Sequence, residues 1–104
     1  MGKYTSEIKN LPDTIQELVV FVAKHLKPST IILFGSRATG ENRLNSDFDL
    51  CLIGASEDPG DRAYVSIEID EGTYTLHKVD IVYWENLNEN YRNNILKEGI
   101  KLYE

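Results

Sequence analysis

The stretch that decides the fold runs from Gly35 to Leu50 and reads GSRATGENRLNSDFDL. It follows a short apolar, β-branched run, Thr30 to Phe34, that reads as a buried strand broken sharply at Gly35-Ser36. Gly35 has no side chain, so the backbone can turn tightly there and approach a ligand closely. A short helix opening at Ser36 turns its hydroxyl and the free first-turn N–H groups outward as an anion site. After the polar loop Gly40 to Ser46, a second strand runs from Asp47 to Ile53, apolar except at Asp47 and Asp49. Residues two apart on a strand project from one face, which sets these carboxylates on Cα atoms roughly 6.6 Å apart. Such a pair suits Mg²⁺, which is held by a few carboxylates, phosphate oxygens and water. Two ions about 3.5–4 Å apart fit between them.

On the N-terminal side, Leu11-Pro12-Asp13 reads as a helix start. Ile15, Leu18, Val19, Val22 and Leu26 follow on one helical face, and Pro28 ends the helix. On the C-terminal side, Gly54 to Asp61 reads as a loop. Arg62 to Glu71 is ambiguous: Val65, Ile67 and Ile69 alternate as in a strand, whereas Ala63, Tyr64 and Ile67 fit a helical face. Propensity favours the strand.

A third strand spans Lys78 to Trp84, with Asp80 between Val79 and Ile81. An acid inside an apolar strand is costly unless paired or metal-bound, so Asp80 joins the first two acids if this strand neighbours theirs. Asn86 or Asn88 caps a final helix with Leu87, Tyr91, Ile95 and Leu96 as its apolar stripe. Gly99 is its C-cap, and Ile100 to Leu102 forms a last short strand. No repeat or linker interrupts the pattern, which predicts one domain over residues 1–104.

The 104 residues carry 17 acidic side chains against 11 Lys and Arg, a formal charge of −6. That balance disfavours a polyanionic partner such as nucleic acid, leaving small molecules, metal ions or another protein. One cysteine, Cys51, excludes an intramolecular disulfide and fits a reducing compartment. Neither a signal-peptide core nor a run of about 20 apolar residues is present, so a cytoplasmic protein without a membrane span is expected. Cys51, in its apolar setting, reads as a small buried hydrophobe rather than a nucleophile. His25 and His77 lack metal-ligand spacing. Trp84 and the six tyrosines read as packing, although one of them could stack on adenine.

Asp-x-Asp alone, or Gly-Ser alone, is a common turn or strand-end feature. Four specified positions at this fixed spacing arise by chance in about one chain per thousand of this length, which favours the functional reading. Gly35, Ser36, Asp47 and Asp49 match the Gly-Ser, ten residues, Asp-x-Asp signature of the DNA polymerase beta-like nucleotidyltransferases. GSRATG, SDFDL, KVDIVYW and ILKEGIKLYE together resemble the minimal nucleotidyltransferase (MNT) branch over most of the chain.

The resemblance implies a two-layer α+β fold, a small mixed sheet with helices mainly on one face, and a helix rather than a strand over Arg62 to Glu71. It implies that Asp47, Asp49 and Asp80 hold two Mg²⁺ ions, with Asp80 as ligand or base. Gly35, Ser36, Arg37 and Ser46 become nucleotide-binding positions, with Arg37 or Arg43 adding positive charge. The implied reaction moves a nucleoside monophosphate, AMP from ATP by family habit, to an acceptor hydroxyl. The implied partner is helical, either a HEPN-type toxin or a substrate-binding-domain-like bundle in a hetero-oligomer, with this chain as antitoxin. A non-catalytic nucleotide-binding antitoxin or regulatory subunit is the competing reading. Transfer to a small molecule of the aminoglycoside type ranks below both.

Overall fold

In the computed structural model of the chain, which describes residues 2–104, helix α1 spans Asp13–Leu26. Its predicted stripe of Ile15, Leu18, Val19, Val22 and Leu26 is buried, and Phe21 and Ala23 join it. Lys27 closes the helix in a left-handed conformation, φ 47°, ahead of Pro28. Strands β1 (Thr30–Phe34), β2 (Phe48–Ile53), β3 (Val79–Tyr83) and β4 (Ile100–Tyr103) form one sheet in the order β3-β2-β1-β4. β1 is antiparallel to both β2 and β4, whereas β2 and β3 run parallel, so the sheet is mixed.

Strand alternation divides the sheet's residues between two faces. Ile31, Leu33, Phe48, Leu50, Leu52, Val79 and Leu102 pack into the main core with α1. Ile32 and Cys51 point the other way, into a small second cluster with Ile95. Asp47, Asp49 and Asp80 share the parity of this second, thinly covered face.

Helix α3 occupies Pro59–Asp70, where propensity favoured a strand. Asp58 caps it by accepting a hydrogen bond from the Asp61 N–H, and Pro59 starts it. Val65 and Ile69, four apart, face the core, while Ile67 is 53 % exposed. The apparent alternation was therefore one helical stripe plus one solvent residue, and the resemblance read it correctly.

Helix α4, Glu89–Glu98, is capped by Asn88, which settles the choice between the two asparagines. Of its expected apolar stripe only Ile95 is buried; Tyr91 and Leu96 are 44 % and 56 % exposed. Gly99 follows it in an extended conformation, φ −74°, rather than as a left-handed cap. Glycine is needed there for space, because a Cβ would collide with Ile32 Cγ2 and the Ile95 carbonyl.

The lead-in, which carried no sequence signal, forms a short 3-10 helix over Ser6–Asn10 that buries Ile8. Lys3 and Thr5 hydrogen-bond to Glu104 and Leu102, closing the outer edge of β4. Among the described residues no helix is long and apolar enough to cross a membrane.

Candidate active site

β1 delivers its last residue, Phe34, opposite Asp49 of β2. The chain then turns at Gly35, with φ 74° and ψ −159°, into α2, the single helical turn Ser36–Thr39. Residues with side chains rarely adopt this backbone conformation. Space is equally restrictive, since a Cβ on Gly35 would lie 2.5 Å from Asp49 Oδ2. The Gly-Ser turn and the second acid of Asp-x-Asp are thus in direct contact. The Ala38 and Thr39 N–H groups donate to the Gly35 carbonyl at 3.0 and 3.2 Å, which leaves those of Ser36 and Arg37 at the open end of the turn.

The parallel register of β2 and β3 sets Asp49 beside Asp80. Asp47 stands just before β2, where the Phe48 N–H donates to the Lys78 carbonyl at 2.9 Å and ties the strand starts together. Burial is the first cause raising the Asp49 pKa above the ordinary carboxylate range; the charges of Asp80 and then Asp47 add to it. Lys78 opposes the shift, and its Nζ lies 3.7 Å from Asp47 Oδ2. This pair is exposed, so its net contribution to stability is small.

The apolar setting expected around Asp80 is absent. Asp80 is exposed, because β3 is an edge strand with β2 as its only strand neighbour among the described residues. Its apolar neighbours Val79 and Ile81 face the other side of the sheet. Register, not burial in an apolar strand, brings Asp80 to the other acids.

Hard carboxylate oxygens on adjacent strands, with a negative charge that one surface lysine leaves uncompensated, fit a divalent cation in chemistry and sign. As the side chains stand, no group of three His, Cys, Asp or Glu among the described residues could hold a metal ion unaided. Phosphate oxygens and water are the usual remaining ligands of Mg²⁺.

Arg37 is engaged away from the acids. Its Nε and Nη2 donate to the Ser46 carbonyl at 3.1 and 3.0 Å, and Nη2 also reaches the Leu44 carbonyl at 3.0 Å. Its guanidinium lies 4.2 Å from the centre of the Phe48 ring. The Ser46 hydroxyl accepts from the Arg43 N–H at 2.8 Å. Arg37 and Ser46 therefore brace the loop that delivers Asp47, and the Arg43 side chain lies at the exposed surface. Cys51 is buried, with its thiol pushed up to about 11, first by desolvation, as befits a packing residue.

A pocket of about 300 Å³ opens beside the acids, with Gly35 and Asp49 on one side and Tyr91, Asn94 and Glu98 of α4 on the other. Sequence reading passed over Lys78 and these helical positions. The spacing 91, 94, 98 marks one face of a helix, but counting Tyr91 into the apolar stripe hid it. A larger groove of about 760 Å³ lies along α1 beside Val20, Phe21 and Tyr74, away from the acids. Of the three acids only Asp49 lines the smaller pocket, whereas Asp80 lines two others of about 450 and 310 Å³ beside α3.

No curated protein matches the sequence significantly. Among solved structures, the chain resembles a toxin–antitoxin crystallised with AMP-PNP, at TM-score 0.63 and 19% identity, over 86% of this chain and 72% of that one. It also resembles a mutant of the toxin–antitoxin MntA-HpeT, at TM-score 0.59 and 20% identity, over 86% of this chain and 69% of that one. At such identities the likeness concerns the fold. Residues 16–104 match the family described as Polymerase beta, Nucleotidyltransferase. With the sheet, the Gly-Ser turn and the family match in agreement, the chain belongs to the polymerase beta nucleotidyltransferases.

Proposed function

We propose that this nucleotidyltransferase moves a nucleoside monophosphate, AMP from ATP, onto a hydroxyl of a partner protein, with Asp47, Asp49 and Asp80 as the metal-holding acids. The observation that carries this reading is the register of Asp49 beside Asp80, with Asp49 also in contact with the Gly35 turn. Asp47 and Asp49 hold Mg²⁺, and Asp80 completes the set or takes the acceptor's proton. When bound, Mg²⁺ supplies charge neutralisation and lowers the pKa of a coordinated hydroxyl.

The chain's own residues do the rest. Gly35 leaves the backbone open to the triphosphate. Ser36 and the first N–H groups of α2 donate to its phosphate oxygens. Arg37 and Ser46 hold the loop that aims Asp47. The acceptor oxygen forms a bond to the α-phosphorus as the bond to pyrophosphate breaks, and the hydroxyl proton passes to Asp80 or water.

A protein acceptor is supported by two leucines. Leu44 and Leu76 are 94% and 97% exposed, on the loops leading into β2 and β3. They are the most exposed large apolar side chains among the described residues, and a docked partner would cover them. The toxin–antitoxin neighbours support a partner that is a toxin, with this chain as its antitoxin, and the AMP-PNP in one of them supports an adenine nucleotide. A helical toxin of the HEPN type would form the hetero-oligomer.

The test incubates the purified chain and its co-purifying partner with labelled ATP and Mg²⁺. Label should move to the partner, and Asp47→Asn should abolish the transfer while leaving the complex intact. A second reading, a non-catalytic antitoxin, is favoured by the acids not converging on a ready-made ion site. Tight partner binding, with neutralisation of the toxin unaffected by Asp47→Asn, Asp49→Asn or Asp80→Asn, would establish it instead.

A further inference from the structure

We infer that the pocket under α4 is a nucleobase site in which Glu98 and Asn94 select a base with an exocyclic amine, adenine-type, over one without it. The inference rests on the nucleotidyl-transfer reading of the neighbouring acids and goes beyond it to the base.

The pocket of about 300 Å³ is contiguous with the reaction site, because Gly35 and Asp49 form one of its walls. That volume is at the lower end of small-molecule pockets. Tyr91, Asn94 and Glu98 form the opposite wall, at positions i, i+3 and i+7 of α4, one helical face. Ile95 supplies an apolar floor. Phe34 and Tyr91 meet edge to face with centroids 6.1 Å apart, which gives the pocket an aromatic lining suited to a flat ring.

Charge orients the ligand. The charge of Glu98 repels an anionic phosphate from the α4 wall, whereas that of Asp49, on the Gly35 wall, is the one a bound cation would offset, so the phosphates belong at the Gly35 end. A neutral ring is left for the α4 end. Nothing in α4 itself calls for an acid at Glu98. It is the last residue of the helix, where the helix dipole disfavours negative charge. An ionised carboxylate only accepts hydrogen bonds, whereas the Asn94 amide both donates and accepts. The complementary base edge therefore carries an amine donor beside a ring nitrogen acceptor, as adenine does.

The experiment measures binding by calorimetry, with Mg²⁺, of ATP and of purine riboside triphosphate, which has the same ring without the amine. ATP should bind tighter by on the order of tenfold to a hundredfold, the effect of one hydrogen bond to a charged group. Glu98→Ala should bring the ratio close to one, and Glu98→Gln, which keeps a neutral acceptor, should fall between. Glu98 is exposed, and equal melting temperatures would confirm that the variants fold. Equal affinities in the unsubstituted chain, or a ratio unchanged by Glu98→Ala, would overturn the inference and leave the transfer reading standing. If neither nucleotide binds, both fall together.

Discussion

Gly35 and Asp49 constrain each other: the glycine adopts a backbone conformation nearly closed to other residues, and the space a side chain would need is filled by the aspartate's Oδ2. Gly35→Ala is expected to lower stability by about 1–3 kcal/mol from backbone strain alone. It should also displace Asp49 and stop transfer, read as pyrophosphate release beside a denaturant melt; a Gly35→Ala chain with normal turnover would contradict the assignment. Asp49 itself opposes folding when ionised. Its pKa is raised, first by burial and then by Asp80 and Asp47, so the folded chain holds this proton more tightly than the unfolded chain does. That contribution to stability is present at acid pH and is lost as pH rises through the raised pKa. Asp49→Asn should therefore melt above the unsubstituted chain at pH 7 in chelator, with the gap narrowing on acidification, while transfer disappears. An Asn variant that melts lower under those conditions would show that the three acids are not repelling one another.

Helix α4 depends on a short list of local interactions, since only Ile95 is buried along it. Asn88 accepts the Tyr91 N–H at 2.8 Å, and Asn88→Ala should lower stability by about 1 kcal/mol in a urea melt. Because Tyr91 lies in the first turn and lines the pocket, the same variant should weaken nucleotide binding; unchanged affinity would separate the helix from the site. What the sequence disclosed about the elements follows the strength of each local signal. α1, β1 and β2 were legible because apolar spacing, Pro28 and the Gly35-Ser36 break all agree. α3 was misread by propensity, since Val65 and Ile69 share a helical face but also fit an alternating pattern with the exposed Ile67. Gly99 was recognisable as a helix end, yet its reason for being glycine, the nearness of Ile32, is a tertiary contact that no local pattern carries. Likewise the Asp-x-Asp spacing announced Asp47 and Asp49. The bonds of Arg37 to the Leu44 and Ser46 carbonyls depend on a loop shape that composition does not specify.

At the level of the whole molecule, the sheet is unequal on its two faces: α1 and α3 bury one, while α4 covers only part of the face that bears the acids. Asp80 was legible as a candidate acid, but its place at the margin was not, because strand order is a property of the complete fold. The two margins of the sheet also differ. The outer edge of β4 is tied by Lys3 and Thr5, whereas β3 is held by β2 alone among the strands. Amide hydrogen exchange should therefore form a gradient across the sheet, slowest in β1 and β2 and fastest in β3. Protection at Ile81 and Val82 equal to that at Ile32 and Leu50 would refute this. The gradient places Asp49 on the most persistent part of the molecule and Asp80 on the part that opens first. On warming, the reaction centre should come apart by partial unzipping while the hydrophobic interior is still intact, so inactivation should precede the global melt. A nucleotide or docked partner that bridges the two strands would close that gap.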